Sequence, residues 1–422
     1  MRRFTLLTII YCLAFGLFAQ TAKEEIAADI HRSASNYYAY PTPTGALTAP
    51  PKGYKPFYLS HYARHGSRFL IDPNDYKKPL NIMREAEQNG VLTPLGKQVL
   101  AVLDSIAGMA VGRYGELTPL GARQHKGIAE RMYKNYPEVF QGGAEIDARS
   151  TVVIRCILSM TSECQELQSL NPNLKIKNDA SYHDMYYMNS EDEVFRNIRA
   201  SDEIVAAKKQ FQKEHLHPER LMNSLFNNQD YIKWKINGGE LMNALFTLAS
   251  NMQSHDTDLE LYSIFTEDEC YDLWLVENFG WYVSFGPSPL NKGKIPYMES
   301  HLLKNILDTA DTCIVKKDNS ATLRFGHEVC VMPLACLLEL GDCGYQTNNA
   351  DKVADVWRNY KIFPMACNIQ FIFFRKKNSD DILVKVTLNE QEMKLPVKSD
   401  IAPYYHWKDV ETYYRNKLAA FK

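Results

Sequence analysis

A histidine stands between two arginines in the segment His61-Tyr62-Ala63-Arg64-His65-Gly66-Ser67-Arg68-Phe69. Two guanidinium groups beside an imidazole form a binding site for an anion with several oxygens, such as phosphate. Their charge also opposes protonation of His65, so the imidazole stays neutral and nucleophilic. Gly66 lets the backbone approach a bound group closely. Taken alone, these residues are equally consistent with a surface turn that carries solvated charges.

A second segment, Arg324-Phe325-Gly326-His327-Glu328, also follows a predicted strand and enters a predicted helix. The imidazole of His327 can donate a hydrogen bond to a phosphate oxygen, and the carboxylic acid of Glu328 can protonate a leaving alkoxide. On its own, a His-Glu pair at this position is more often a helix start, where the acid favours the positive end of the dipole.

A third segment, residues 149–155, carries Arg149 and Arg155 across a predicted strand-to-helix turn. Their spacing allows at most one of them to face the pocket that holds His65. Arg155 is the better candidate, because it lies in the first turns of a helix whose N-terminus can also face an anion. A surface salt bridge is the alternative for either arginine.

Strands and helices alternate around these segments, which predicts an α/β fold with a doubly wound sheet. In such sheets active-site residues lie just beyond the carboxyl ends of strands. Strands are predicted near 57–60, 145–150, 321–325, 366–374 and 382–388. Helices are predicted near 81–109 with an interruption at Gly90, then from Pro119 to 133 with Thr118 as N-cap, and near 151–167, 298–311, 328–340 and 407–418.

The charge is distributed unevenly along a chain of 422 residues with a net charge of −2. That net charge does not indicate an overall basic surface that would bind nucleic acid or an anionic membrane. Residues 181–300, however, hold 19 acidic and 10 basic residues. We predict an α/β core in two parts, residues 20–180 and 301–422, with a mostly helical cap inserted at 181–300.

Residues 1–19 have the pattern of a secretory signal peptide. Arg2 and Arg3 precede an apolar run, 6–18, that is too short to span a bilayer comfortably, and cleavage after Ala19 would leave Gln20 first. The mature protein is therefore expected to be periplasmic or secreted, with no membrane span. Its eight cysteines allow disulfides whose pairing stays open. The absence of a CxxC pair disfavours a zinc site.

In motif order the chain resembles the histidine acid phosphatases, the branch of the histidine phosphatase superfamily that includes phytases. Within that branch it looks most like the multiple inositol polyphosphate phosphatases. The resemblance covers nearly the whole mature chain. It rests on the segments 64–68 (Arg-His-Gly-Ser-Arg), 117–121 (Leu-Thr-Pro-Leu-Gly), Ser150-Thr151 with Arg155, 265–269 (Phe-Thr-Glu-Asp-Glu) and 325–328 (Phe-Gly-His-Glu).

The resemblance implies a phosphoglycerate-mutase-like core sheet and a role for each site residue. His65 would attack phosphorus and become a phosphohistidine, and Glu328 would protonate the leaving oxygen. The phosphoryl oxygens would be held by Arg64, Arg68, Arg155 and His327. No metal and no cofactor is implied, since guanidinium groups supply the positive charge. An unprotonated nucleophile and a protonated acid imply a bell-shaped pH profile with an acidic optimum.

Two positions depart from the family pattern. Leu70 stands where the family usually has proline, two places after the second arginine. His327-Glu328-Val329 matches neither the His-Asp of most phytases nor the His-Ala-Glu of the inositol polyphosphate phosphatases, which puts both the donor and the subfamily in question.

Three functions are therefore left open by the sequence. The first is an exported phosphatase of inositol polyphosphates such as phytate. The second is a broad-specificity acid or sugar phosphatase, for which the acidic cap leaves room. The third is a non-catalytic phosphate-binding protein. The expected partner in each case is a small-molecule phosphomonoester, and the oligomeric state stays open.

Overall fold

The computed structural model describes residues 20–190, 192–316 and 319–421. The predicted signal peptide, residues 1–19, lies outside the described residues. No helix among the described residues is long and apolar enough to cross a membrane. The eight cysteines of this part of the chain are all free thiols, so the disulfides that their even number allowed are not formed there.

A mixed eight-stranded sheet forms the centre of the described chain. Its strands are β1 (Tyr54–Arg64), β2 (Glu145–Ser150), β3 (Lys175–Ala180), β4 (Ser320–Gly326), β5 (Asn368–Lys376), β6 (Ile382–Leu388), β7 (Gln391–Glu392) and β8 (Tyr405–His406). The order is β3-β2-β4-β1-β5-β6-β7, and β8 pairs with β6. The first four strands in this order run parallel, whereas β5 joins β1 antiparallel and begins an antiparallel half. The doubly wound prediction is confirmed for the parallel half.

Seventeen α-helices surround the sheet within the described residues. They are α1 (Ala22–Ala28), α2 (Pro73–Gln88), α3 (Pro94–Ala110), α4 (Pro119–Asn135), α5 (Ile154–Leu170), α6 (Met185–Met188), α7 (Glu193–Arg199), α8 (Asp202–His215), α9 (Glu219–Leu225), α10 (Gln229–Lys235), α11 (Gly238–Met252), α12 (Glu267–Phe285), α13 (Ser300–Lys316), α14 (Glu328–Leu337), α15 (Val353–Val356), α16 (Asn359–Ile362) and α17 (Trp407–Ala420). A 3₁₀ segment, Ile30–Tyr37, joins α1 to the lead-in of β1.

Local sequence signals set several of these helix ends. Thr118 caps α4 by accepting a hydrogen bond from the Gly121 backbone N–H, and Pro119 occupies the first helical position. Thr266 and Glu269 form a reciprocal capping box at the start of α12. The interruption predicted at Gly90 separates α2 from α3, and Gly90 adopts a left-handed φ of +68°.

Three hydrophobic clusters divide the described molecule into layers. One face of the sheet packs against α4 and α5, and the opposite face packs against α13, α14 and α17, with α12 behind them in the same cluster. The third cluster is entirely helical and combines residues 69–110 with residues 221–273. The helical cap is therefore built from two distant segments, because α2 and α3 share a core with helices of the predicted cap 181–300.

The N-terminal segment is part of this packed structure. Glu25 in α1 is buried. Its carboxylate accepts hydrogen bonds from the Tyr360 hydroxyl at 2.7 Å and from Lys361 at 2.6 Å, and it pairs with Arg358 at 2.8 Å. A buried carboxylate is stable only when it is paired and hydrogen-bonded in this way. The contact fixes the start of the described chain against α16.

Candidate active site

The two histidines of the predicted site lie side by side because β1 and β4 end together. These strands pair in parallel, with Arg64 opposite Gly326. The residues that follow, His65 and His327, lie beyond the carboxyl edge of the sheet with their ring centroids 5.8 Å apart. The backbone N–H of His65 donates to the Gly326 carbonyl at 2.9 Å, which fixes the register of the two turns.

The geometry of His65 suits a nucleophile. Its Nδ1 lies 2.9 Å from the Gly66 carbonyl, which can only accept a hydrogen bond. The proton of the neutral imidazole is therefore on Nδ1, which leaves the lone pair of Nε2 available. Burial lowers the pKa of His65 well below its usual value, and the neighbouring arginines and His327 lower it further.

Arg64 is buried and held from two directions. Its Nη1 donates to the Asn36 carbonyl at 2.6 Å and to the Phe363 carbonyl at 3.1 Å. Its Nε lies 3.0 Å from a carboxylate oxygen of Glu328. Neither Nε nor Nη2 of Arg64 makes a hydrogen bond of good geometry with another residue in the described structure. These groups are the donors that a phosphoryl oxygen would satisfy.

Arg68 is positioned by the turn that follows the first motif. It forms an isolated antiparallel bridge with Leu117, and its Nη1 donates to the Phe69 carbonyl at 3.0 Å. The guanidinium carbon lies 5.4 Å from the centre of the Tyr37 ring, an aromatic contact that supports a cation. Its buried Nε has no hydrogen-bond partner. Arg68 therefore retains a donor for a bound anion.

The structure separates the two arginines of the third segment. Arg149 pairs with Asp147 and Asp184, on the outer side of β2. Arg155 is part of the first turn of α5, and its buried Nε has no hydrogen-bond partner. Burial lowers the pKa of Arg155, and the positive charges of Arg68 and Arg64 lower it further, which places it in the same electrostatic neighbourhood.

His327 completes a set that we call the cradle, defined as Arg64, Arg68, Arg155 and His327. Its Nε2 lies 3.3 Å from the Thr151 hydroxyl. Burial lowers the pKa of His327 to about 4; the charge of Glu328 opposes this and the three arginines reinforce it. His327 is therefore neutral near pH 6 and acts as a hydrogen-bond donor rather than as a further cation.

Glu328 faces both the nucleophile and the cradle. One carboxylate oxygen lies 3.8 Å from Nε2 of His65 and 3.0 Å from Nε of Arg64. Burial alone would raise the pKa of Glu328, but Arg64, Arg68 and His327 lower it to about 2. Its place in the first turn of α14 also favours the anion. The carboxyl group is thus ionised when no substrate is bound.

The turn after His65 needs glycine because two backbone segments cross there. A Cβ built at Gly66 would lie 2.4 Å from the backbone oxygen of Gly121, and one at Gly121 would lie 2.3 Å from that of Ser67. Gln124 supports the same crossing by accepting from the Ser67 backbone N–H at 2.8 Å. The Leu-Thr-Pro-Leu-Gly motif thus supports the turn that follows His65.

We expect Gly66→Ala to reduce turnover at least tenfold and to lower the free energy of unfolding by about 1–3 kcal/mol, because the new methyl group overlaps backbone atoms. Gly108→Ala is the matched control, since nothing lies within 4 Å of its added Cβ in α3. That variant should be stabilised by about 0.5–1 kcal/mol with unchanged turnover. Urea unfolding measures the free energy of unfolding of each variant, and steady-state assays measure its turnover. Equal effects of the two substitutions would show that the backbone crossing at Gly66 does not require glycine.

Leu70 stands where the family usually has proline, and it forms a hydrogen bond through its backbone N–H, a group that proline lacks. Its backbone N–H donates to the Tyr76 hydroxyl at 2.8 Å, and its side chain is fully buried in the helical cluster. The turn therefore continues with a hydrogen bond to α2 where the family usually has a rigid proline.

Sequence reasoning missed three contributors to the site. Asn36 and Tyr37 come from the Ile30–Tyr37 segment, and Phe363 follows α16. Two of them act through backbone carbonyls, which carry no sequence signature. The sequence shows Tyr37 as an aromatic residue. The residues around it have neither helical nor strand periodicity, so nothing placed Tyr37 near the site.

Ligand atoms of His65, His327 and Glu328 all lie within 4.8 Å of one another, which is a spacing that a metal ion could use. The charge around them is unfavourable for a cation, because Arg64 pairs with Glu328 and because Arg155 and Arg68 lie in the same pocket. Among the described residues the arrangement fits an anion with several oxygens better than a metal.

The family profile described as Histidine phosphatase superfamily (branch 2) matches residues 57–389. The chain belongs to this family, and its class is that of the histidine acid phosphatases, as the sequence resemblance implied. No curated protein sequence shows significant similarity to it.

Two of the solved structures that share its fold illustrate the similarity. One is the multiple inositol polyphosphate phosphatase of Bifidobacterium longum in its apo form, with a TM-score of 0.74 at 20% identity, covering 90% of this chain and 97% of that one. The other is the phytase from D. castellii, with a TM-score of 0.74 at 15% identity, covering 96% of this chain and 90% of that one. The Bifidobacterium enzyme has also been solved with inositol hexasulfate.

Proposed function

We propose that this phosphatase hydrolyses phosphomonoesters through a phosphohistidine at His65. The observation that carries the proposal is the neutral imidazole whose Nδ1 is held by the Gly66 carbonyl at 2.9 Å, beside the buried Nε–H groups of Arg68 and Arg155, which have no hydrogen-bond partner among the described residues. A group that only bound phosphate would not need a nucleophilic nitrogen aimed into the pocket.

The reaction proceeds in two displacements. Nε2 of His65 attacks phosphorus, the bond to the ester oxygen breaks, and the departing oxygen takes a proton from Glu328. The cradle holds the remaining phosphoryl oxygens while negative charge redistributes in the transition state. Water then attacks the phosphorus of the phosphohistidine, Glu328 accepts a proton from that water, and inorganic phosphate leaves with His65 regenerated.

Glu328 needs a source for the proton that it donates, because its pKa of about 2 leaves it ionised in the empty site. A phosphomonoester has a second pKa near 6, so below that pH the substrate arrives as a monoanion with one proton. Once its oxygens engage Arg64, the carboxylate loses its partner and gains a negative neighbour, and both changes raise the pKa of Glu328. Substrate binding thus moves the proton to Glu328, which supports an acidic optimum.

We expect Glu328→Gln to slow the hydrolysis of alkyl phosphates by about 100- to 10,000-fold, because a poor leaving group needs the proton. Hydrolysis of 4-nitrophenyl phosphate, whose leaving group is stable as an anion, should fall less than tenfold. Steady-state kcat/KM for the two substrates in one variant measures the difference. An equal loss on both substrates would exclude Glu328 as the donor.

Turnover without a metal ion is part of the proposal, since the arginines already supply the positive charge that a metal would provide. The test is rapid-quench labelling of chelator-treated enzyme with a radiolabelled phosphomonoester. An acid-labile phosphoenzyme that forms and decays at the rate of turnover supports the proposal. A bound phosphate with no covalent label would favour the non-catalytic phosphate-binding protein instead.

Export is also proposed, on the sequence of residues 1–19 alone. Amino-terminal sequencing of the native protein should find Gln20 first. Retention of residues 1–19 in the native protein would contradict a cleaved leader.

The identity of the phosphomonoester depends on what lies beside the cradle. The sequence favoured inositol polyphosphates such as phytate, and the structural similarity to the multiple inositol polyphosphate phosphatase of Bifidobacterium longum supports that substrate class. A less charged phosphomonoester, such as a sugar phosphate, is the alternative, for which the acidic composition of residues 181–300 leaves room.

A further inference from the structure

Both polar groups of the peptide that joins Arg64 to His65 are hydrogen-bonded. Its N–H donates to the Gly326 carbonyl, at the end of β4, at 2.9 Å. Its carbonyl oxygen lies 3.1 Å from Nε2 of His125, a fully buried residue of α4. A carbonyl can only accept a hydrogen bond, so Nε2 of His125 carries a proton and donates it to this contact. The orientation of the peptide, and of the His65 imidazole that follows it, therefore depends on β4 on one side and on α4 on the other.

The imidazole of His125 is itself held by a buried carboxyl group. Its Nδ1 lies 2.8 Å from Oε2 of Glu163, which is a fully buried residue of α5. Because Nε2 is already protonated, one further proton is shared along this contact, as an imidazolium with a carboxylate or as an imidazole with a carboxylic acid. The pair has no net charge in either form, so it orients the backbone of the nucleophile without changing the charge beneath the cradle.

This pair is more polar than packing alone requires. The second carboxyl oxygen of Glu163, Oε1, is buried and has no hydrogen-bond partner among the described residues. Nδ1 of His61, on β1, lies 3.8 Å away, which is too far for a hydrogen bond. Burial lowers the pKa of His61 to about 4 against the opposing charge of Glu163, so His61 is neutral near pH 6. A buried oxygen without a partner is costly, and the donor that the pair provides for the Arg64 carbonyl accounts for its presence.

We propose that His125 and Glu163 are positioning residues for the reaction at His65. The Glu163 carboxyl group fixes the plane of the His125 imidazole. The Nε2–H group of His125 then fixes the peptide between Arg64 and His65, so that Nε2 of His65 is directed at phosphorus. The proposal rests on the phosphatase function proposed above.

The loss of this support should act on the attack and not on the binding of phosphate. The guanidinium of Arg64 is held by two other backbone carbonyls and by Glu328, none of which belongs to α4 or α5. The His65 imidazole, in contrast, follows the orientation of the peptide that His125 contacts. A displacement of a reacting atom by about 1 Å can slow a reaction by roughly 100-fold. We therefore expect kcat to depend on the pair and the Kd for inorganic phosphate to be nearly independent of it.

Two double variants separate positioning from packing. In the apolar variant, His125→Leu with Glu163→Met, both ionisable groups are replaced by side chains of similar volume, which usually leaves a buried pair about as stable as before. Its unfolding midpoint should stay within a few degrees of the unmodified enzyme, whereas kcat and the rate of His65 labelling by 4-nitrophenyl phosphate should fall at least tenfold. In the amide variant, His125→Gln with Glu163→Gln, an amide N–H replaces the donor to the Arg64 carbonyl. This variant should restore kcat to within threefold of the unmodified enzyme, and the Kd for inorganic phosphate should change less than threefold in both.

The matched control is Lys385→Met with Glu392→Leu, which removes another buried ion pair, with its atoms 2.9 Å apart, between β6 and β7. It should leave kcat and labelling unchanged. An apolar variant with full kcat, or an amide variant that loses as much activity as the apolar one, would overturn the positioning role. A fall in kcat that only matches a loss of folded protein would assign the pair to stability alone. If the unmodified enzyme forms no phosphohistidine, the phosphatase function fails and the inference fails with it.

Discussion

Replacing His65 with alanine is expected to abolish turnover, by at least about 10⁴-fold, because no other imidazole can form the covalent intermediate. The nearest candidate, His327, lies beside His65 with ring centroids 5.8 Å apart, but its Nε2 is within 3.3 Å of the Thr151 hydroxyl. The acid-labile phosphoenzyme should disappear as well. Far-ultraviolet circular dichroism and the unfolding midpoint should stay close to those of the unmodified enzyme, since the side chain is held by a single hydrogen bond to its own turn.

The matched control is His183→Ala, because His183 is exposed and lies outside the cradle. It should keep full activity and full labelling. Phosphate should still raise the thermal midpoint of the His65→Ala variant, since the arginines that bind it are unchanged. A His65→Ala variant that retains a substantial share of turnover would show that the nucleophile is misassigned.

Removing Arg64 or Arg155 should reduce kcat/KM to a similar extent, by about 100- to 1,000-fold, because each supplies charge to the same phosphoryl group. Their effects on stability should differ in sign. Arg64→Met leaves Glu328 buried without its partner and strands two backbone carbonyls, which should cost about 3 kcal/mol or more. Arg155→Met removes a cation that burial and its neighbours disfavour, so stability should be unchanged or rise by about 1 kcal/mol.

Arg149→Met controls for the activity loss, because Arg149 lies on β2, just before the turn that leads to Arg155, but pairs with Asp147 and Asp184 away from the cradle. It should keep its activity. Urea unfolding without phosphate measures stability, and the shift in thermal midpoint on adding phosphate measures binding. Equal destabilisation by Arg64→Met and Arg155→Met would contradict the claim that Arg64 stabilises the fold and Arg155 does not.

Many helices and strands of this fold can be predicted from the sequence, because short sequence motifs mark where they begin or which residues they bury. Thr118 and Pro119 mark the start of α4, and residues that alternate between apolar and polar mark β2 and β4. The convergence of His65 and His327 also follows, because parallel strands place their carboxyl ends on one edge. The antiparallel half was not predicted, since apolar strand runs such as 368–376 carry no information on direction.

The remaining contributions to the site depend on contacts between distant segments. The polar lead-in before β1 gave no sign that Asn36 and Tyr37 would border the cradle, because a 3₁₀ segment lacks a clear period. The sharing of a cap core by α2, α3 and the helices after residue 221 was equally invisible, since each helix is amphipathic without specifying its partner. The ionised state of Glu328 follows from the proximity of Arg64, which only the folded structure reveals.

The two carbonyls that hold Arg64 have a consequence for the order in which the enzyme acquires its activity. They belong to residues 36 and 363, so the oxyanion-binding guanidinium is oriented only after the polypeptide has been synthesised almost to its carboxyl end. A nascent or prematurely terminated chain would carry the complete Arg-His-Gly-Ser-Arg segment and yet remain catalytically silent. Orientation of the Arg64 guanidinium is thereby coupled to synthesis of the chain through residue 363.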